Sequence, residues 1–247
     1  MTISYTIWFT QRVGSTWLCD LLSRTGVAGR PGEHLNFATV EEAFNLFGTE
    51  DHSEILAKVL ALGSTANGVF GIKQGYSRSG FAAALTVINP NWMNWQEQPS
   101  IMAWESAFPC HRHIFLTRRN KLRLAVSWWK AIKTNEWHRR YGQKPTEVDL
   151  DDAYDAIAIR QLLNEAVARE AGISEMMSAA GVVPLTLVYE DILRDPQRAV
   201  DQALDHIGLP RSELVQSNLQ PLADELSEKW VQEFRGDLQK GWPNQGW

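Results

Sequence analysis

Residues 3–10 (Ile-Ser-Tyr-Thr-Ile-Trp-Phe-Thr) alternate weakly and are rich in β-branched and aromatic side chains, the pattern of a strand. After a turn at 11–15, Trp17, Leu18, Leu21 and Leu22 fall at helical spacing, and Gly26 supplies a C-terminal stop. Residues 27–37 hold two glycines and a proline and read as a loop, with helical material at 39–47 and 52–63. Val69 to Lys73 is a short apolar run ending in a charge, suited to a buried parallel strand. Residues 74–110 are the least regular stretch and carry Trp92, Trp95 and Trp104. His113 to Thr117 reads as another buried strand. Asn120 then suits the N-cap of a helix on which Leu122, Val126, Trp129 and Ile132 or Lys133 share a face, ending before Pro145. Residues 149–180 form a long helical pattern and 182–189 a further strand. Asp195-Pro196 opens a helix with Val200, Leu204 and Ile207 on one face and Gly208 at its end, and a last helix covers 222–239.

Strands separated repeatedly by helices predict an α/β fold, a parallel sheet flanked by helices. No linker, repeat or low-complexity tract divides the chain, so 1–247 reads as a single domain with an irregular Trp-rich segment at about 74–110. Composition adds little to this picture: 44% hydrophobic and 21% charged residues are ordinary for a globular protein. A net charge of −5 argues against a general nucleic-acid partner, because backbone phosphates need a basic surface. Cys19 and Cys110 make no disulfide framework and no zinc spacing, and no His/Cys/Asp/Glu cluster has metal-ligand spacing, so a metal is not expected. The first ten residues lack a basic n-region and run straight into a strand, and no apolar run reaches membrane-span length. A cytoplasmic protein without a membrane span is the expectation.

The chemistry concentrates at two places. Thr10-Gln11-Arg12-Val13-Gly14-Ser15-Thr16-Trp17 follows a strand and opens a helix, where unpartnered N–H groups and the helix dipole favour an anion. Gly14 lets backbone approach closely, Ser15 and Thr16 add hydroxyls, and Arg12 adds a forked cation. The stretch lacks both the lysine and the leading glycine of a GxxxxGK[ST] loop, which makes ATP hydrolysis a poor fit. An ordinary strand-to-helix turn with an N-cap serine is the alternative. The second place is Arg118 and Arg119 at a strand end, with Ser127 two helical turns beyond Arg119; a solvated arginine pair and a helix-face serine are its bland counterpart. Two anion sites at the carboxyl edge of one sheet suit a ligand with phosphates at both ends.

Thr-Gln-Arg-Val-Gly-Ser-Thr-Trp-Leu at 10–18, Thr-Gly-Val-Ala-Gly-Arg-Pro-Gly-Glu at 25–33, Gly-Ile-Lys at 71–73, the Arg-Arg-Asn to Trp-Trp-Lys-Ala run at 118–131 and Val-Tyr-Glu-Asp-Ile-Leu-Arg-Asp-Pro at 188–196 occur in one order over most of the chain. This set resembles the sulfotransferases that use 3′-phosphoadenosine-5′-phosphosulfate (PAPS), and most closely the bacterial family of the mycobacterial trehalose 2-sulfotransferase. The resemblance implies a P-loop-like sulfotransferase fold and transfer of a sulfuryl group to a hydroxyl of a carbohydrate or glycolipid. It implies that Gln11, Arg12, Gly14, Ser15, Thr16 and Trp17 hold the 5′ side of PAPS. Arg119 and Ser127 hold the 3′-phosphate, with Arg118 competing for the place of Arg119. It also implies that Glu33 is the general base; without it, Glu33 is a solvated loop carboxylate. The Tyr189-Glu190-Asp191 element looks structural, and dimerisation is a family expectation.

Lys73 ends its strand beside the proposed site. It suits a contact to the sulfuryl group or the acceptor, or equally a strand-terminal salt bridge. His34 is the runner-up base, with His111 and His113 behind it. Trp128, Trp129 and Trp137 fall on one expected helix, where core packing is the default, while Trp92, Trp95 and Trp104 suit a lid over an acceptor sugar or a dimer contact. A P-loop nucleotide kinase and a non-catalytic nucleotide-binding relative are the rival readings. The 74–110 segment matches nothing in the family pattern, so trehalose itself does not follow as the acceptor.

Overall fold

The computed structural model describes residues 3–92, 100–213 and 216–241. Four strands form one wholly parallel sheet in the order β2 (Val69–Gly75), β1 (Ile3–Phe9), β3 (His111–Thr117), β5 (Leu185–Val188). β1 is central, and six of its seven residues are buried, as a strand covered on both faces requires. The helices that flank or connect these strands are α1 (Ser15–Arg24), α2 (Val40–Phe47), α3 (His52–Gly63), α4 (Arg78–Ile88), α5 (Ser100–Ser106), α8 (Tyr189–Arg194) and α9 (Pro196–Ile207). The expected α/β class and parallel sheet are what is found.

The chain divides into two compact units, residues 1–117 with 169–217 and residues 118–168 with 218–247. The first holds the sheet and a core around Trp8, whose ring centroid lies 5.3 Å from those of Phe81 on α4 and Trp104 on α5. The second comprises α6 (Lys121–Thr134), a short antiparallel pair β4 (Arg139–Arg140) and β6 (Leu219–Gln220), the first half of α7 (Ala156–Ala179) and α10 (Glu225–Gln239). Its core is built on Val126, Ile159, Trp230 and Phe234. Burying each such side chain contributes about 1.5–3 kcal/mol.

Several caps match expectation. Asn120 accepts from the Arg123 N–H, Asp195 caps α9 ahead of Pro196, and Gly208 ends α9 in the left-handed region. Four expectations need correction. Residues 74–110 contain α4 and α5; α4 runs Phe-Ala-Ala-Ala-Leu-Thr-Val-Ile at 81–88, a helix buried nearly all round that shows no amphipathic period. Trp104 is fully buried, with its N–H donating to Thr6 Oγ1 at 2.8 Å, so it is core and no acceptor lid; Trp95 lies outside the described residues. Trp137 is not on α6, because Asn135 in the left-handed region ends that helix. α7 starts at 156 and not near 149, since Asp155, the last of several acidic cap formers, takes the N–H groups of Ile157 and Ala158.

Candidate functional site

β1 leads into the loop Thr10–Gly14 at the carboxyl end of the sheet. Arg12 (φ 65°) and Gly14 (φ 81°) both take left-handed backbone on either side of Val13, which is buried and anchors the turn. For an arginine that conformation costs about 1–2 kcal/mol, which the packing around Val13 must offset. The N-cap of α1 is Gly14, not a serine. Among the described residues α1 has no side-chain cap, so its leading N–H groups at Ser15, Thr16 and Trp17 keep their capacity for an anion. Thr10 Oγ1 is buried and finds no hydrogen-bond partner among the described residues. Tyr189, the first residue of α8, packs over the loop: a Cβ on Gly14 would lie 2.6 Å from Tyr189 Cδ2. Gly14 is therefore required twice, by its φ and by that ring. Gln11 is engaged at its side chain, where Oε1 accepts from Arg169 at 2.9 Å.

Lys73 stands opposite Ile7 in the β1–β2 register and is 6% exposed. A buried ammonium needs partners, because stripping its water costs several kcal/mol. It has two: Glu33 Oε1 at 2.6 Å and Thr16 Oγ1 at 2.9 Å. The Phe9 ring lies 5.2 Å away. Of the two readings of Lys73, the salt bridge is what the structure contains, and that bridge joins the start of α1 to Glu33. The loop carrying Glu33 is docked by its backbone, with the Lys73 N–H donating to the Gly32 carbonyl at 3.0 Å. Gly29 permits the approach: a Cβ there would lie 2.8 Å from the Gly71 nitrogen. The second carboxylate oxygen of Glu33 accepts from Asn36 Nδ2 at 2.8 Å. Glu33 remains about one-third exposed, so its carboxylate is oriented from two sides and still reachable.

The histidines separate clearly. His34 folds over Gly32, with Nε2 bonded to the Arg30 carbonyl at 3.1 Å. Burial pulls its pKa down against that bond. His111 stands opposite Ser4 at the start of the sheet, about 20 Å of strand from Thr10 at 3.3 Å per residue. There Trp104 donates to Thr6, and Ser4 donates to the Pro109 carbonyl. The His111 ring bridges the two hydroxyls at 2.7 and 2.8 Å. One neutral tautomer, protonated on Nδ1, satisfies the whole chain. Burial, with His113 and Arg112 adding to it, holds His111 well below its ordinary pKa. His113 accepts from Trp8 Nε1 at 2.9 Å and pairs with Glu105 at 2.7 Å. Both are framework residues.

In the second unit Arg118 is half-buried, Arg119 is exposed and Ser127 lies on α6, half-buried. The Arg118 carbonyl accepts from Lys121, and the Asn120 cap fixes the start of the helix that carries Ser127. Among the described residues no group of three or more His, Cys, Asp or Glu is arranged for a metal, and no helix is long and apolar enough to cross a membrane. Thr10, Asn36 and Tyr189 were not singled out as functional from the sequence. No local pattern marks Tyr189, which lies 175 residues from Gly14.

A family model of the Stf0 sulphotransferases matches residues 4–237. The chain is 26% identical to the trehalose 2-sulfotransferase of Mycobacterium tuberculosis (strain ATCC 35801 / TMC 107 / Erdman), covering 94% of both chains. It is 25% identical to the trehalose 2-sulfotransferase of Mycolicibacterium smegmatis, covering 96% of both. In fold it is similar to a crystal structure of a sulfotransferase from Alicyclobacillus acidocaldarius, with a TM-score of 0.50 over 96% of this chain and 93% of that one, at 15% identity. A match over nearly the whole length, on a sheet whose first loop opens an uncapped helix, shows that the chain belongs to the Stf0 sulphotransferase family.

Proposed function

We propose that this protein transfers the sulfuryl group of PAPS to a hydroxyl of a carbohydrate or glycolipid acceptor, with Glu33 as general base. One observation carries the reading: Glu33, Lys73 and Thr16 meet within hydrogen-bond distance at the uncapped start of α1. The names of the two mycobacterial relatives support a sugar hydroxyl as the acceptor class.

The residues present fit the donor. A helix start with no side-chain cap and a buried Thr10 hydroxyl with no partner, both among the described residues, together with a left-handed glycine under an aromatic ring, suit a phosphate-bearing group. Arg12, Gly14, Ser15, Thr16 and Trp17 would hold its 5′ side, with Gln11 shaping the turn, and Arg118 or Arg119 with Ser127 its 3′-phosphate. When bound, PAPS supplies an activated sulfuryl group and a phosphate leaving group. Transfer forms a bond from the acceptor oxygen to sulfur and breaks the bond from sulfur to the phosphate oxygen. Glu33 takes the acceptor proton, and Asn36 and Lys73 keep its carboxylate pointed. Arg12, Thr16 and the α1 N–H groups stabilise charge gathering on the leaving phosphate.

Thermal-shift measurement tests the donor: adenosine 3′,5′-bisphosphate raises the melting temperature and ATP-magnesium does not. The reverse result favours a nucleotide kinase. Mass spectrometry of a metabolite extract incubated with enzyme and labelled PAPS then identifies the acceptor through its labelled sulfate ester.

A further inference from the structure

Lys73 serves both halves of the candidate site with one charge. Its ammonium has three protons; one goes to Glu33 and one to Thr16. Because Thr16 Oγ1 accepts from Lys73, the threonine's own O–H remains to donate to something else. Thr16 is the second residue of α1, within the turn whose N–H groups carry no side-chain cap among the described residues. An anion bound there meets a hydroxyl polarised by a buried cation whose only acidic partner in hydrogen-bond reach, among the described residues, is Glu33.

We infer that Lys73 couples the two functions, so that the charge on Glu33 sets the affinity of the donor subsite and an anion in that subsite loosens the hold on Glu33. The inference rests on the donor reading above. Its physical basis is competition for one desolvated cation. Lys73 is spent on the Glu33 carboxylate; an anion at the start of α1 draws the ammonium through Thr16 and leaves that carboxylate less neutralised. Reciprocity is required, since any free energy by which donor binding changes Glu33 must return when Glu33 is changed. Burial makes the coupling strong, because an ammonium at 6% exposure is poorly screened by solvent.

The test is a double-mutant cycle read by calorimetric titration of adenosine 3′,5′-bisphosphate. Glu33→Gln tightens binding by about three- to tenfold in the otherwise native chain, and by less than about twofold when Lys73→Met is also present. An equal gain in both backgrounds means that Glu33 acts by its charge alone; it overturns the inference and leaves the donor reading standing. Thr16→Val provides a second arm in which no charge is altered and the buried lysine keeps its carboxylate. There the gain from Glu33→Gln also shrinks, and an undiminished gain sinks the coupling. This arm decides the matter if Lys73→Met fails to fold. If the native chain binds no adenosine 3′,5′-bisphosphate, the donor reading falls and the inference falls with it.

Discussion

The two ends of the sheet hold similar residue types in opposite states. At the amino end, Ser4, Thr6, His111, His113 and Trp104 form chains in which donors and acceptors are matched and the histidines are neutral. At the carboxyl end, among the described residues, a helix starts without a side-chain cap and a threonine hydroxyl is buried without a partner, while an arginine sits in left-handed backbone and a carboxylate is left one-third exposed. The first arrangement has nothing left to bind and contributes to stability. The second keeps unspent polar capacity, which is costly in a folded chain unless a ligand uses it. Counting polar residues would not tell the two ends apart; asking which of their atoms are satisfied does.

That contrast can be broken most forcefully at Glu33. Glu33→Gln should lower sulfuryl transfer by about 10²- to 10⁴-fold in an assay with a confirmed acceptor, a loss far larger than the fall in melting temperature expected from leaving the buried Lys73 without its carboxylate. Undiminished turnover would move the base elsewhere, His34 first. Next in size is Gly14→Ala, which must strain at φ 81° and press into the Tyr189 ring. Affinity for adenosine 3′,5′-bisphosphate should fall at least about tenfold. Adding Tyr189→Ala should recover part of that loss, because the clash goes and the backbone strain stays.

Acid should act on the opposite end. His111 and His113 both have pKa values lowered chiefly by burial. The unfolded chain therefore binds protons that the folded chain refuses. Stability is full above about pH 6.5 and is lost as pH falls toward the lowered folded values, by up to about 1.4 kcal/mol per pH unit for each of the two histidines. Denaturant unfolding at several pH values measures this, and a flat profile would remove the neutral network. Trp104→Phe should cost about 1 kcal/mol by deleting the bond to Thr6, with donor affinity unchanged. Smallest is Asn36→Ala, which should reduce turnover a few-fold through a less directed Glu33 and leave the melting curve alone. If those last two variants exchanged their effects, the division of the sheet into a structural and a functional end would be wrong.

Legibility followed range along the chain. The turn at 11–15, the Asn120 and Asp195 caps and the glycine stops were readable because each rests on the conformational habits of a few neighbouring residues. α4 was not, because a helix buried on every side loses the polar face that betrays its period. Trp104 was misread for a related reason: an irregular polar neighbourhood argues for exposure, while its burial is decided by Thr6, 98 positions away in sequence.

Sequence alone determined the turn between β1 and α1, most of the strands and helix caps around it and the residue types able to do the chemistry, since period, caps and loop composition are local properties. Tertiary structure decided which of those residues meet. Lys73 reaches Thr16 across 57 positions, and Tyr189 comes to rest over Gly14. A hydrophobic pattern records which face of an element must leave water, and it carries no record of the partner that face, or a polar group at its edge, will find.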